Sequence, residues 1–304
     1  MRQCMPLVMF RKDLNMAVIV NMACGLANRM FQYSYYLYLK KLGYDAFVDF
    51  YQTANLEHER VSWKAVFPNA LIRQASAWEV FKTGGGSNVL DKVRRRYFPF
   101  SCNVKTLSAF EVPLPDRTER SVYIMGVFQN ADMAEAVRDD VLNAFTFRPF
   151  TDNRNLALMK EVQATQSVAI HVRKGEDYRS RIYYQGTCPV DYYQKAVKLI
   201  NEKVKNPRFY VFADNKEWVK ENFNDFDYTL VEGNPIAGYG SHYDMQLMSL
   251  CRHNILSNST YSWWGAFLNR NPDKTVVLPD IWFNPESCQE YTSKPVRCEG
   301  WIAL

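Results

Sequence analysis

The 304-residue sequence has no apolar run near the roughly 20 residues that a membrane span needs, and no internal repeat or low-complexity tract. Its seven cysteines are odd in number and scattered, without a CxxC pair. That argues against a disulfide framework or a zinc site and for a reducing compartment. The net charge of +5 is too small to argue for nucleic acid, though it suits an anionic ligand or an acidic membrane surface. Residues 1–15 carry only a short apolar core, Met5 to Phe10, ended by Arg11, Lys12 and Asp13. They read as a ragged extension before Met16, itself a candidate start, and not as a signal peptide. Without such a signal the sequon Asn258-Ser259-Thr260 is accidental. The expected location is cytoplasmic, with peripheral association at the inner face of the membrane compatible.

What is present supports a folded core: 47% hydrophobic and 15% aromatic residues. The chain opens with an apolar strand, Ala17 to Met22, a turn at Cys24–Ala27, a helix over Asn28–Leu42 and a strand over Asp45–Phe50. This βαβ opening has one glycine in its turn, so it lacks the GxGxxG dinucleotide fingerprint. Residues 51–120 read as helices and loops on an acceptor-facing side, with Arg94-Arg95-Arg96 on a solvated helix face. A strand over Ser121–Phe128, a helix over Ala131–Phe145 and a linker over Pro149–Asn155 follow.

The second half alternates more cleanly. Strands are expected at 167–172, 208–212, 228–231, 254–256 and 275–278, and helices at 190–204, 216–223, 242–252 and 260–270. This predicts an α/β protein with two Rossmann-like domains facing a cleft, divided as 1–150 and 151–304.

Parallel sheets bind ligands beyond the carboxyl ends of their strands. Four such ends in the second half finish in polar groups: His171 with Arg173, Asp214, Glu232, and Ser257-Asn258-Ser259. A guanidinium fork suits a phosphate. Ser259 and Thr260 stand where a helix begins and where free N–H groups favour an anion. Taken singly, Ser259 and Asp214 read as helix caps, His171 as a core histidine and Arg173 as a structural ion pair. Together they describe a pyrophosphate site that needs no metal. The DxD at Asp225-Phe226-Asp227 precedes a strand and reads as a turn. Trp263 and Trp264 point to different faces of one helix, so both are buried only if that helix is covered widely.

The same residues carry a family resemblance. GLANRMFQYSYYL resembles the GLGNQMFQYA segment of glycosyltransferase family 11, the bacterial-type α-1,2-fucosyltransferases, and HVRKGEDY resembles HVRRGDY. FADNKEWVKENF and SNSTYSWWGAFLN resemble FSDD-EWVK and SNSSFSWWGAWL. The four motifs keep their order and spacing over roughly residues 16–282.

The resemblance implies a GT-B fold and a galactoside α-1,2-fucosyltransferase. The donor would be GDP-β-L-fucose, the transfer inverting, with no cofactor and no metal. The acceptor would be a galactose-terminated oligosaccharide or glycolipid, and nucleic acid is no partner. Carried over by motif, Arg173 holds the β-phosphate, His171 and Asp214 face guanine, and Lys174, Ser257, Asn258, Ser259 and Thr260 complete the donor site. Asn28 faces the reacting centre, among acceptor-side residues Gly25, Asn28, Arg29 and Gln32. Lys174 stands for the second motif arginine; Glu176 stands at the motif's aspartate position with Asp177 after it, so either one inherits that role, and both are candidate bases. Ala27 and Arg29 depart from the motif's glycine and glutamine. The rival readings are another GT-B sugar transferase and a non-catalytic GDP-sugar or glycan binder.

Overall fold

A computed structural model describes residues 16–50, 63–86, 89–118 and 120–304. The first half runs β1 (Ala17–Asn21), α1 (Leu26–Lys41), β2 (Asp45–Asp49), α2 (Trp63–Val66), α3 (Ala77–Thr83), α4 (Val89–Tyr97), β3 (Val104–Thr106), β4 (Val122–Met125), α5 (Ala131–Ala136) and α6 (Arg138–Ala144). The second runs α7 (Asn153–Ala164), β5 (Gln166–Val172), α8 (Glu176–Ser180), α9 (Val190–Lys203), β6 (Pro207–Ala213), α10 (Lys216–Asn222), β7 (Tyr228–Leu230), α11 (Tyr243–Leu250), β8 (His253–Ile255), α12 (Thr260–Phe267), β9 (Val276–Leu278) and β10 (Ile302–Ala303).

Both sheets are parallel. The first has four strands in the order β2-β1-β4-β3, and the second six in the order β10-β9-β8-β5-β6-β7. Their β-branched runs are covered on both faces, as parallel strands require: Val18, Ile19 and Val20 of β1 and Val168, Ile170 and Val172 of β5 are fully buried. The strand order of the second sheet reverses between β5 and β8, a switch point where the carboxyl ends part to leave a crevice.

Four segments differ from the sequence reading. The stretch 51–120, read as helices and loops, also holds β3, an edge strand paired with β4. The stretch read as a linker is cut short, because Asp152 accepts the Asn155 N–H at 2.8 Å and starts α7. The helix expected over Ala131–Phe145 breaks at Val137, whose φ of −122° is not helical. Arg94 and Arg95 do not sit on a solvated face. They turn inward and donate to the carbonyls of Phe81, Lys82, Gly84 and Gly86, closing the end of α3. Residues 1–15, and residues 51–62 of the segment 51–120 read as helices and loops, lie outside the described residues.

One apolar core runs through both halves. Trp263 and Trp264 are fully buried, and their rings lie 4.6 and 4.8 Å from Phe31 of α1. Each indole N–H is satisfied: Trp264 Nε1 donates to the Ala27 carbonyl at 2.9 Å and Trp263 Nε1 to the Val296 carbonyl at 2.6 Å. Gly265 lets α12 lie against α11, since a Cβ there would stand 2.9 Å from Met248 Cβ.

Two consequences are measurable. Trp264→Phe strips the Ala27 carbonyl of its donor and leaves a void, and it should cost about 2–4 kcal/mol of stability. Because the core is continuous, urea unfolding followed by circular dichroism and by fluorescence should show one shared transition. Two separated transitions, or a cost below about 1 kcal/mol, would contradict this joint.

Candidate active site

A cleft of about 540 Å³ lies between the sheets. The first half lines it with Cys24, Gly25, Leu26, Ala27, Asn28 and Gln129. The second half contributes Arg173, Asp177, Arg181 and Tyr184, then Asn258, Ser259, Thr260 and Tyr261, and finally Trp282 and Phe283. Ile236, Ala237 and Ser241 close one side.

The N-termini of α1 and α12 both open here, with Gly25 and Ser259 as their capping residues. Each brings free N–H groups and the positive end of a helix dipole. The two termini also touch. Asn28 Oδ1 accepts from Thr260 Oγ1 at 3.2 Å and from Gln129 Nε2 at 3.4 Å.

Arg173 follows the last residue of β5 and is held on three sides. Its guanidinium lies 3.6 Å from the centre of the Tyr184 ring, Nη1 donates to the Asn258 carbonyl at 3.3 Å, and Nη2 is paired with Asp177. The other oxygen of Asp177 takes Arg181 Nε at 2.7 Å. Two guanidiniums thus share one carboxylate, and the three side chains together keep a net positive charge facing the cleft. A planar, oriented cation pair of this kind suits a polyanion such as a pyrophosphate.

The remaining sequence-predicted residues hold this frame from outside the lining. His171 is buried, with Nδ1 at 2.7 Å from Ser257 Oγ, so the two switch-point strands are tied together. Burial, then the nearby Arg173, lowers the His171 pKa to about 3, and the ring is neutral at ordinary pH. Asp214 neither lines the cleft nor caps the next helix, where Asn215 does so instead. Its Oδ1 accepts the Lys174 and Gly175 N–H groups at 2.7 and 2.9 Å. Burial is the largest influence on it and raises its pKa above the ordinary carboxylate value, against those two bonds.

Four expected roles are corrected. Lys174 is buried away from the cleft and donates to the Thr187 carbonyl at 2.8 Å, because the chain turns at Gly175 and sends its side chain under Tyr178 and Trp218. Glu176 points outward, 81% exposed, and pairs with Arg179. Arg29 and Gln32 are buried parts of the turn and not of an acceptor surface. Arg29 Nε donates to the Cys24 carbonyl at 2.9 Å, and Gln32 accepts from Ala23 N and donates to the Gly126 carbonyl.

Arg181, Tyr184, Gln129, Trp282 and Phe283 were not singled out from the sequence. Arg181 stands four residues after Asp177, a helical spacing that pairs opposite charges, and this was the available signal. Gln129, Trp282 and Phe283 lie four or five residues beyond β4 and β9, where only the loop path decides what reaches a cleft.

The family model for glycosyl transferase family 11 matches residues 7–303. Two Escherichia coli proteins are similar in sequence. The O-antigen biosynthesis glycosyltransferase WbnK is 34% identical over 188 residues, covering 60% of this chain and 60% of its own. An alpha-1,2-colitosyltransferase is 30% identical over 193 residues, covering 60% and 63%. The matched segments thus span about three-fifths of the length of these relatives. The galactoside alpha-(1,2)-fucosyltransferase 2 of Rattus norvegicus is 26% identical over 141 residues, 43% of this chain and 39% of that one. Among solved structures, NodZ alpha-1,6-fucosyltransferase co-crystallised with GDP matches at a TM-score of 0.50 and 14% identity, over 84% of this chain and 92% of the other. That likeness is one of fold, the GT-B arrangement of two parallel sheets flanking a cleft. With the family model matched over nearly its whole length, the chain belongs to glycosyltransferase family 11.

Proposed function

We propose that this glycosyltransferase moves L-fucose from GDP-β-L-fucose to the 2-hydroxyl of a terminal galactose, with inversion to an α-1,2-fucoside and without a metal ion. The observation that carries the reading is the Arg173–Asp177–Arg181 cluster, which lines one cleft together with two helix N-termini. A pyrophosphate leaving group gains negative charge as the C1–O bond breaks. Cations and N–H groups already in position stabilise that charge without reorganising. Arg181 supplies the second guanidinium that position 174 lacks. With its oxygen occupied by two donors, Asn28 has its amide N–H groups left to offer to a sugar.

No carboxylate among the described lining residues is free, since Asp177 is the one present and two guanidiniums hold it. Glu176 is turned away. We therefore read Asp177 as a positioning residue and infer that the acceptor hydroxyl loses its proton late. The linkage is better supported than the sugar, because an α-1,2 linkage appears in the names of both a colitosyl- and a fucosyltransferase among the relatives. A colitose donor is the second reading.

The direct test offers GDP-fucose and GDP-colitose, in buffer containing EDTA, to a panel of galactose-terminated oligosaccharides, with NMR of the product. An α-1,2-fucoside on galactose is the expected product. Preference for the colitose donor, another linkage, or activity that returns only with Mn²⁺ or Mg²⁺ would each overturn the corresponding part. GDP-sugar binding without turnover on any acceptor would favour a binding protein.

Variants of the cluster separate its roles. Arg173→Ala should lower kcat/KM by at least roughly 100-fold, with little recovered in Arg173→Lys, because a point charge does not replace the fork. Asp177→Asn should lower kcat/KM by about tenfold or more, since ion pairs of this kind position both cations. It should leave the pH profile unchanged in shape. Loss of the acidic limb in Asp177→Asn would make Asp177 the base, and near-normal turnover in folded Arg173→Ala would remove Arg173 from the phosphate.

We further propose a cytoplasmic location. The six cysteines among the described residues are all free thiols, as a reducing compartment maintains. Thiol mapping of the native protein should find them reduced, and disulfides between them would contradict the assignment.

A further inference from the structure

α3 packs on the first sheet through Val80, which is buried with Ile19, Phe47 and Tyr123, and α4 follows it with its faces inverted. On α4, Val89, Leu90, Val93 and Tyr97 fall on one stripe at helical spacing, and in a soluble helix such a stripe faces the core. Here it faces outward, with Val89 and Leu90 74% and 72% exposed. The buried side is polar instead: Asp91 is 1% exposed, and Arg95 donates to the Gly84 and Gly86 carbonyls. The helix thus spends its polar groups on the interior and shows water an apolar face.

The exposed apolar surface continues past the helix. Phe98 and Phe100 follow at 65% and 91% exposure, and on α3 the exposed Trp78 stacks on Phe81 with ring centres 5.6 Å apart. Lys92 and Arg96 flank the α4 stripe, both are exposed, and neither forms an ion pair with a described residue. Lys82 stands 5.7 Å over the Trp78 ring.

We propose that this face seats the protein on an anionic lipid surface. Aromatic and aliphatic side chains bordered by cations are what a bilayer interface selects, with rings at headgroup level and cations on the phosphates. α4 has nine residues, so it reaches roughly 14 Å and lies along the surface without spanning it. No helix of the described residues is long and apolar enough to cross a membrane. A second copy of the chain fits this face less well. Two-fold pairing would bring the flanking cations of one copy against those of the other. The proposal holds whichever sugar the cleft transfers.

The test is flotation of the full chain with vesicles of phosphatidylcholine, with and without about 30% phosphatidylglycerol, where surface charge decides binding. The wild type should float with the anionic vesicles and little with the neutral ones. Leu90→Ser/Phe100→Ser should weaken partitioning at least about 30-fold through lost apolar burial. Lys92→Glu/Arg96→Glu should weaken it about tenfold or more and remove its salt dependence. Thermal midpoints and turnover on a soluble acceptor should be unchanged in both, since all four side chains face outward. Three results would overturn the proposal: wild type that floats with neither vesicle, variants that float as well as wild type, or a solution dimer that the Leu90→Ser/Phe100→Ser variant breaks.

Discussion

The contact on which the site depends is the hydrogen bond from the Trp264 indole to the Ala27 carbonyl, made inside the aromatic joint between α12 and α1. These two helices do two jobs at once. Their middles interlock through Phe31, Trp263 and Trp264, and their first turns meet in the lining of the cleft. Burial of two tryptophans therefore sets the separation of Asn28 and Thr260. An enzyme that binds a charged leaving group needs such fixed dipoles, because donors that must first reorient lower a barrier less. The core passes between the halves without interruption.

Around that frame, charge is arranged in order of burial. The neutral His171 and the carboxyl of Asp214 lie behind the wall and hold the loop, where an ion free to pair with ligand would be expensive. Lys174 is buried on a carbonyl between two rings, a cation used for architecture. Among the described residues, Arg173 and Arg181 are the cations presented to the cleft, and Asp177 fixes both without cancelling them. The result is a preorganised site for negative charge, whose lining also includes Asn28, Gln129, Trp282 and Phe283.

Much of the second half was legible because its strands are short apolar runs between amphipathic helices, a pattern set by burial on two faces. The β5 signal, SVAIHVR, marked a strand end to search for a site, whereas the switch point beside it came only with the strand order. Trp263 and Trp264 were legible as a widely covered helix, but not their partner, since nothing local in α12 names α1. Lys174 was misplaced for a similar reason. A strand end fixes alternation only as far as the strand runs, and the turn at Gly175 then decides the direction. Arg94 and Arg95 show the limit of reading charge as surface, because a run of arginines serves equally to close a helix whose carbonyls lack partners. The first half was least legible, since its α3–α4 unit exposes the residues that a pattern argument would bury.

The central claim is that the Arg173–Asp177–Arg181 cluster is a clamp for the pyrophosphate. Calorimetric titration with GDP and with GMP addresses it directly, because the two ligands differ by the β-phosphate alone. Two charge-assisted contacts of about 1.5–3 kcal/mol each should make GDP bind more tightly than GMP by at least about 100-fold, and that ratio should collapse toward one when Arg173 and Arg181 are both replaced by alanine. Equal affinity for GDP and GMP in the wild type, or an undiminished ratio in the folded double variant, would contradict it.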